Sequence, residues 1–269
     1  MIDLHSHILP GIDDGAKDTE TSVAMARIAV ADGTRVLACT PHVKRGVWNN
    51  EGPDIVRRVA ALQDRLNHER IPLHLVAGAD VHAAPNLASL LGNRVPTLGG
   101  TRYFLFEPPH QILPPNLVEH TQRIVQAGYV PILTHPERLV WVSSRYDVFE
   151  SLNRIGCLVQ ITAGAVMGAF GPTAEALAIR MVEEGRVDII ASDAHDISKR
   201  PPGLRAAAKR VAEIVGLEDA KKMVRDRPAQ ILRNEPLKPA RAGTRGGREP
   251  APRSGLGQLL RSFGGPSRG

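Results

Sequence analysis

Seven short segments of this 269-residue chain concentrate side chains that bind divalent metal ions. They are Asp3-Leu4-His5-Ser6-His7, Asp13-Asp14-Gly15, Thr40-Pro41-His42, Gly78-Ala79-Asp80, Phe106-Glu107, Thr134-His135-Pro136-Glu137-Arg138 and Ser192-Asp193-Ala194-His195. On an extended backbone side chains alternate with period two, so His5 and His7 point to one side, as do Asp193 and His195. Mixed imidazole and carboxylate donors suit zinc, manganese or iron and do not describe a thiolate site. Two or more such ions can bridge a phosphate, acidify a water and stabilise a leaving oxygen. Metal-assisted hydrolysis of a phosphoester is therefore the chemistry these residues suit best. An arginine would add paired N–H donors for the phosphate; Arg138, three residues beyond His135, leads, followed by Arg200 and Arg45.

Each residue taken singly has a plainer reading. His68, His74, His82, His110 and His120 read as solvated or backbone-bonded histidines, with His82 and His110 standing nearest to ligand positions. Asp13 and Asp14 suit a turn, and Asp80 and Asp193 could cap following helices. The joint pattern outweighs these readings, because five of the ten histidines (His5, His7, His42, His135, His195) fall at the ends of strand-like runs.

The elements that must position them alternate along residues 1–233. Strand-like runs lie at 2–4, 35–40, 73–79, 102–106, 130–134, 157–162 and 187–192. Helical patterns lie near 18–32, 53–70, 84–91, 115–127, 145–155, 173–185, 203–216 and 218–232. Alternating strands and helices imply parallel pairing. Seven units without a nucleotide-binding glycine fingerprint suggest an α/β barrel, in which catalytic residues gather at the C-terminal strand ends. Six of the seven runs end in a residue type that binds metal.

Composition narrows the remaining classes. The net charge is +6, but residues 234–269 carry seven Lys/Arg against two Glu, so +5 of it belongs to a Gly/Pro/Arg/Ser-rich tail. That tail reads as disordered and the preceding part as nearly neutral, which leaves no footprint for nucleic acid. Leu256, Leu259, Leu260 and Phe263 among its basic residues admit weak peripheral contact with an anionic membrane, although a solvated end is the plainer reading. No run approaches a membrane-spanning length, and acidic residues and histidines stand where a secretory signal would be basic and apolar. Two cysteines cannot build a disulfide framework, so a reducing cytoplasm is the expected compartment.

The segments Asp3–His7, Thr40–His42, Thr134–Arg138 and Ser192–His195 resemble the four signatures of the PHP (polymerase and histidinol phosphatase) superfamily. Met1-Ile2-Asp3-Leu4-His5-Ser6-His7-Ile8 followed by Asp13-Asp14-Gly15 is closer still to the protein-tyrosine phosphatases of bacterial capsule and exopolysaccharide loci. The resemblance implies a distorted seven-stranded (β/α)7 TIM-like barrel over residues 1–233, with a three-metal and usually manganese-dependent site. One metal would take His5, His7, Asp80 and Asp193; a second Asp80, Glu107 and His135; a third Asp14, His42 and His195. Arg138 would bind phosphate, helped by Arg200, with a metal or the His42 region assisting the leaving group. The implied substrate is phosphotyrosine on a bacterial tyrosine kinase that controls polysaccharide export. Asp80 departs from the glutamate typical of that branch, so its shorter side chain requires a contracted cluster or a closer backbone.

Three other readings compete. Cys39 to Arg45 fits the bare C-x5-R pattern of cysteine-dependent phosphatases, yet Pro41 removes one N–H from the loop and no glycine allows close approach to phosphate. The same fold could act on a small phosphomonoester such as histidinol phosphate, since the surrounding loops choose the substrate. An inactive kinase-binding scaffold is the third.

Overall fold

The structure, a computed structural model, describes residues 1–240; the rest of the basic tail, including Leu256 to Phe263, lies outside the described residues. The apolar runs become short strands: β1 (Ile2–Asp3), β2 (Val36–Cys39), β3 (His42–Val43), β4 (His74–Ala77), β5 (Asp80–His82), β6 (Tyr103–Glu107), β7 (Val130–Thr134), β8 (Leu158–Thr162) and β9 (Ile189–Ala191). Between and after them run α1 (Thr19–Asp32), α2 (Gly52–His68), α3 (Leu87–Leu90), α4 (Leu117–Gln126), α5 (Tyr146–Arg154), α6 (Ala163–Val166), α7 (Pro172–Glu183), α8 (Arg205–Val215), α9 (Leu217–Lys221) and α10 (Arg227–Leu232). Local chemistry explains the longest of these. Asp18 caps α1 by accepting from Thr21 N at 2.8 Å, and Gly33 ends it in the left-handed region at φ 102°. In α2, Ile55, Val59, Leu62 and Leu66 recur at helical spacing and are all buried.

All strand pairs are parallel, in two sheets with orders β1-β2-β4 and β3-β5-β6-β7-β8-β9. The sequence suggests seven strands; nine stand among the described residues, because the chain continues past the ends of two expected runs, 35–40 and 73–79, into short strands of the other sheet. Pro41, which lacks an N–H, interrupts the run that gives β2 and β3. Gly78 and Ala79 interrupt the run that gives β4 and β5, and a Cβ on Gly78 would come within 2.8 Å of Leu98 Cδ2. The broken runs stay in step through Gly78 N to Cys39 O (3.0 Å) and Asp80 N to Pro41 O (3.1 Å). At the opposite margins, His7 N donates to Ala194 O (2.8 Å) and Asp193 N to His5 O (2.9 Å), which ties the residues after β1 to those after β9.

β6 and β8 are buried on both faces, as parallel strands covered by helices must be. Leu4, Ala38, Leu105, Ile132, Leu158 and Ile189, drawn from or beside six strands, form one compact apolar cluster with Leu98, Tyr103 and Ile231. Phe104, Phe106, Leu133, Val159 and Ile190 join the larger cluster under the helices. By period two, the residues that follow the inner layer on its own face are Glu107, Thr134 and Gln160. The floor of the site is therefore apolar and its next layer polar.

Residues 234–240, read from sequence as the start of the tail, pack across the far end of the strands. Asn234 Oδ1 accepts from Arg102 N (3.0 Å), Glu235 O accepts from Tyr103 Oη (2.5 Å), and Asp188 Oδ1 accepts from Ala240 N (2.8 Å). Asp188 is fully buried, takes Val159 N at 2.8 Å and pairs with Arg227, whose Nη2 also reaches Lys238 O at 2.8 Å. Burial still pushes the Asp188 carboxyl up to about 6, so it leans on Arg227 to stay charged at neutral pH. Arg227→Ala leaves that charge without a cation and should cost about 3 kcal/mol in denaturant unfolding of the whole chain. A loss well under ~1 kcal/mol would show that the two backbone donors suffice.

Candidate metal centre

The C-terminal ends of β6, β7 and β9 and the first residues of β3 and β5 bring the ligand-type residues to one place. Glu107 closes β6, Asp80 opens β5, His42 opens β3, and His135 and Asp193 follow β7 and β9. His135 and Asp193 sit in the left-handed region, with φ 36° and 52°. That conformation costs a non-glycine residue about 1–2 kcal/mol and turns the side chain out of the strand's alternation. Asp3 is buried but serves the backbone: its Oδ1 accepts from Ser192 N (3.0 Å) and His5 N (3.3 Å), which locks the first motif against the last. Gly15 is required beside it, since a Cβ there would lie 2.1 Å from His7 O.

Three groups of side chains result. His5 Nε2 lies 3.2 Å from His7 Nε2, 3.3 Å from Asp193 Oδ1 and 3.6 Å from Asp80 Oδ2; His7 Nε2 is 3.4 Å from Asp193 Oδ1. Asp14 Oδ1 stands 3.6 Å from His42 Nε2 and 3.4 Å from His195 Nε2. His42 Nδ1 is 3.4 Å from both Asp80 Oδ2 and Glu107 Oε2, and His135 Nε2 is 3.6 Å from Glu107 Oε1. Donors at about 2.1 Å from one ion stand about 3.0–3.4 Å from each other, so these spacings suit shared cations.

The outer ring nitrogens decide which tautomer is presented. His5 Nδ1 donates to Gln160 Oε1 (2.8 Å), His7 Nδ1 to Asp13 Oδ2 (2.7 Å) and His195 Nδ1 to Asp193 O (2.9 Å). These acceptors can only accept, so each Nδ1 carries a proton and Nε2 is the nitrogen each ring would offer to a cation. His42 has no such outer partner; its ring instead stacks on Trp48 at 4.6 Å and 20°.

Charge balance points the same way. Burial opposes charging the His7 and His42 rings, yet Asp13 and Asp193 push His7 up to about 9, and Asp80 and Glu107 push His42 up to about 11. Burial would raise the carboxyls of Glu107 and Asp193, but the surrounding imidazoles, with Arg200 beside Asp193, hold both below the ordinary range. His135 is held down, first by burial and then by Arg138. Both oxygens of Asp80, Glu107 Oε2, His42 Nδ1 and His135 Nδ1 are buried without a hydrogen-bond partner. Orphaned buried oxygens beside bare imidazole nitrogens are what a divalent cation satisfies, and the residues present fit one.

Arg138 and Arg200 both donate to Asp193 Oδ2, while Asp193 Oδ1 faces the imidazoles. The Arg138 guanidinium lies 4.3 Å over the Phe170 ring. Both arginines border a cleft of about 1030 Å³ whose lining also includes Lys44, Arg45, Trp48 and Arg94. Arg45 is exposed at its rim. Cys39, by contrast, is fully buried, and burial pushes its thiol up, away from thiolate character.

All nine ligand-type residues and both leading arginines thus meet in one region. His68 and His74 are exposed, as their plain reading has it. His82 and His110 instead lie against Glu107, with Nε2 at 2.6 Å from Oε2 and 2.9 Å from Oε1 respectively. Their signals were local: His82 is two residues after Asp80 on one strand, and His110 three after Glu107. The sequence singles out Asp13 with Asp14 but not as the partner of His7, and Trp48, Gln160 and Phe170 have no signal of their own, because each acts through packing or hydrogen bonds that the fold creates.

Comparison with known proteins follows this geometry. The family described as capsular polysaccharide synthesis, CpsB/CapC, matches residues 1–233. The tyrosine-protein phosphatase YwqE of Bacillus subtilis is 38% identical over 202 residues, covering 74% of this chain and 79% of its own. The tyrosine-protein phosphatase CpsB of Streptococcus pneumoniae is 27% identical over 241 residues, covering 87% of this chain and 99% of its own. A crystal structure from work on YwqE of Bacillus subtilis and CpsB of Streptococcus pneumoniae, described as unique metal-dependent tyrosine phosphatases, matches with TM-score 0.83 and 32% identity. It covers 90% of this chain and 99% of that one. With the family matching residues 1–233 and a relative 38% identical over 74% of this sequence, the chain belongs to the CpsB/CapC family of capsular polysaccharide synthesis proteins.

Proposed function

We propose that this protein is a metal-dependent protein-tyrosine phosphatase that removes phosphate from a bacterial tyrosine kinase controlling capsular or exopolysaccharide synthesis. The observation that carries the reading is the cluster of His5, His7, Asp14, His42, Asp80, Glu107, His135, Asp193 and His195, buried except at Asp14, in which both oxygens of Asp80 and Oε2 of Glu107 are left without hydrogen bonds. The names of YwqE and CpsB and the likeness to a metal-dependent tyrosine phosphatase structure support the substrate class. We read residues 1–233 as the catalytic unit and its two sheets as one distorted seven-stranded barrel. The site is read as a three-ion cluster, with manganese as the resident metal and iron or zinc also matching the donors. Among the described residues no helix is long and apolar enough to cross a membrane, in keeping with a cytoplasmic enzyme.

When bound, the cations neutralise phosphoryl oxygens and lower the pKa of a water beside phosphorus. The chain's own groups position the ester. Arg138 and Arg200 each spend one N–H on Asp193, which aims the remaining donors of both guanidiniums at the cleft; Arg200 Nε is buried with no partner of its own. Phe170 fixes the plane of Arg138. His42, held by Trp48, stands at the cleft to assist the departing phenolate, which needs little help because a phenol ionises near pH 10.

Three outcomes test this. Hydrolysis of a phosphotyrosine peptide should vanish with a chelator, return with manganese and withstand thiol alkylation, since Cys39 and Cys157 are both buried. Persistence under chelation would remove the metal reading. Arg138→Ala should lower kcat/KM by about 10²–10³-fold, with Arg138→Lys restoring little because one ammonium cannot replace a planar fork. Unchanged kinetics would take Arg138 out of phosphate binding. Asp13→Asn, which weakens the hold on His7 Nδ1, should reduce metal affinity about 10–100-fold in equilibrium dialysis. Wild-type affinity in that variant would make Asp13 a turn residue only.

A further inference from the structure

Glu107 is surrounded by more nitrogen than the nine-residue ligand set uses. Its Oε1 faces His110 Nε2 at 2.9 Å and His135 Nε2 at 3.6 Å. Its Oε2 faces His82 Nε2 at 2.6 Å and His42 Nδ1 at 3.4 Å. Each oxygen thus has its own pair of imidazoles, and each trio, His42–His82–Glu107 and Glu107–His110–His135, has the spacing of a metal site.

The placement of His82 follows from the fold. It is the register partner of Glu107 across β5 and β6, so the two side chains leave the sheet side by side. Despite the 2.6 Å approach, neither His82 Nε2 nor Glu107 Oε2 makes a hydrogen bond, and both atoms are buried. The nitrogen and oxygen sit beside each other without the alignment of a hydrogen bond, and an ion shared between them would draw them apart to the roughly 3.0–3.4 Å of two donors. His110 is held differently. Its Nε2 does hydrogen-bond Glu107, and its ring packs 4.9 Å from that of His135. Val140 N donates to His110 O at 2.9 Å, which anchors the loop carrying it beside the Arg138 segment.

We infer that His82 and His110 are further metal ligands of this chain, which make the Glu107 end of the cluster nitrogen-rich and shift that end toward a borderline cation such as zinc, relative to the manganese assigned to the cluster as a whole. This inference rests on the metal-centre reading above and adds two donors to it. Seven imidazoles would then serve the cluster, against four carboxylates (Asp14, Asp80, Glu107, Asp193). Imidazole donors favour zinc and iron, whereas manganese is better matched by carboxylate, carbonyl and water. At the other end, His5, His7 and Asp193 are unaffected by the two added histidines.

The test loads metal-free full-length protein with Zn²⁺ or Mn²⁺ by equilibrium dialysis and counts bound ions per chain. His82→Gln/His110→Gln is compared with wild type and with His68→Ala, a change on the exposed face of α2. Glutamine keeps a buried N–H that can reach Glu107 but is a poor zinc ligand, so the double variant separates ligation from hydrogen-bond support. We expect it to lose at least one zinc ion per chain while keeping the ion at the His5/His7 end, and to shift in selectivity from zinc toward manganese. X-ray absorption at the zinc edge should show fewer imidazoles per ion than in wild type. Equal zinc count, equal selectivity and equal imidazole number in the double variant would overturn the inference and leave both histidines as hydrogen-bond partners of Glu107. A wild type that binds neither metal would instead overturn the metal-centre reading itself. Matching circular dichroism spectra of the metal-free proteins establish that the variant is folded before ions are counted.

Discussion

Asp80, Glu107 and Asp193 are carboxylates exposed by 0%, 3% and 2%, gathered with Asp14 around the same few imidazoles. In a medium where charge is poorly solvated, such a group must be neutralised by protons, by fixed cations or by bound ions. Protons are a partial answer, since they would charge His7 and His42. Guanidiniums are another, and Asp193 Oδ2 takes two of them. Both oxygens of Asp80 and Oε2 of Glu107, which make no hydrogen bond, are the ones a bound cation would serve.

The fold can be understood as the means of holding that charge in place. Parallel strands end at a common level, and their inner faces supply an apolar floor of Leu105, Ile132, Leu158 and Ile189 beneath the ligands. The breaks at Pro41 and Gly78 let two strand runs change sheet just where His42 and Asp80 are delivered. Left-handed backbone at His135 and Asp193 redirects two further ligands. Strain of this kind survives only when the surroundings over-determine it. Here the bonds from Asp193 N to His5 O and from Ser192 N to Asp3 Oδ1 do so on the Asp193 side.

On the proposed reading, the division of Asp193 would link phosphate binding to the metal cluster. One oxygen belongs to the imidazoles and the other to the arginines, so an anion reaching Arg138 and Arg200 also arrives beside the cluster. The basic side chains around the cleft extend the same preference outward. Cys39 plays no part in this, for it is enclosed in the core between strands that carry ligands at their ends.

The sequence by itself determined the strand-and-helix alternation, the caps of α1, the buried stripe of α2 and the ligand types at the strand ends. These depend on side-chain periodicity and local hydrogen bonding, which neighbours in the chain settle. Only the tertiary structure decided which residues share an ion-sized space. The register of β5 against β6 brings His82 to Glu107, the loop after β1 separates Asp13 as the partner of His7 from Asp14 in the cluster, and β8 sets Gln160 behind His5. It also decided that residues 234–240 pack onto the body rather than begin the tail, through the buried charge of Asp188. Apart from the short-range Asp13–His7 contact, each of these joins segments far apart in sequence, so its distance is set by strand register and packing, which local pattern does not encode.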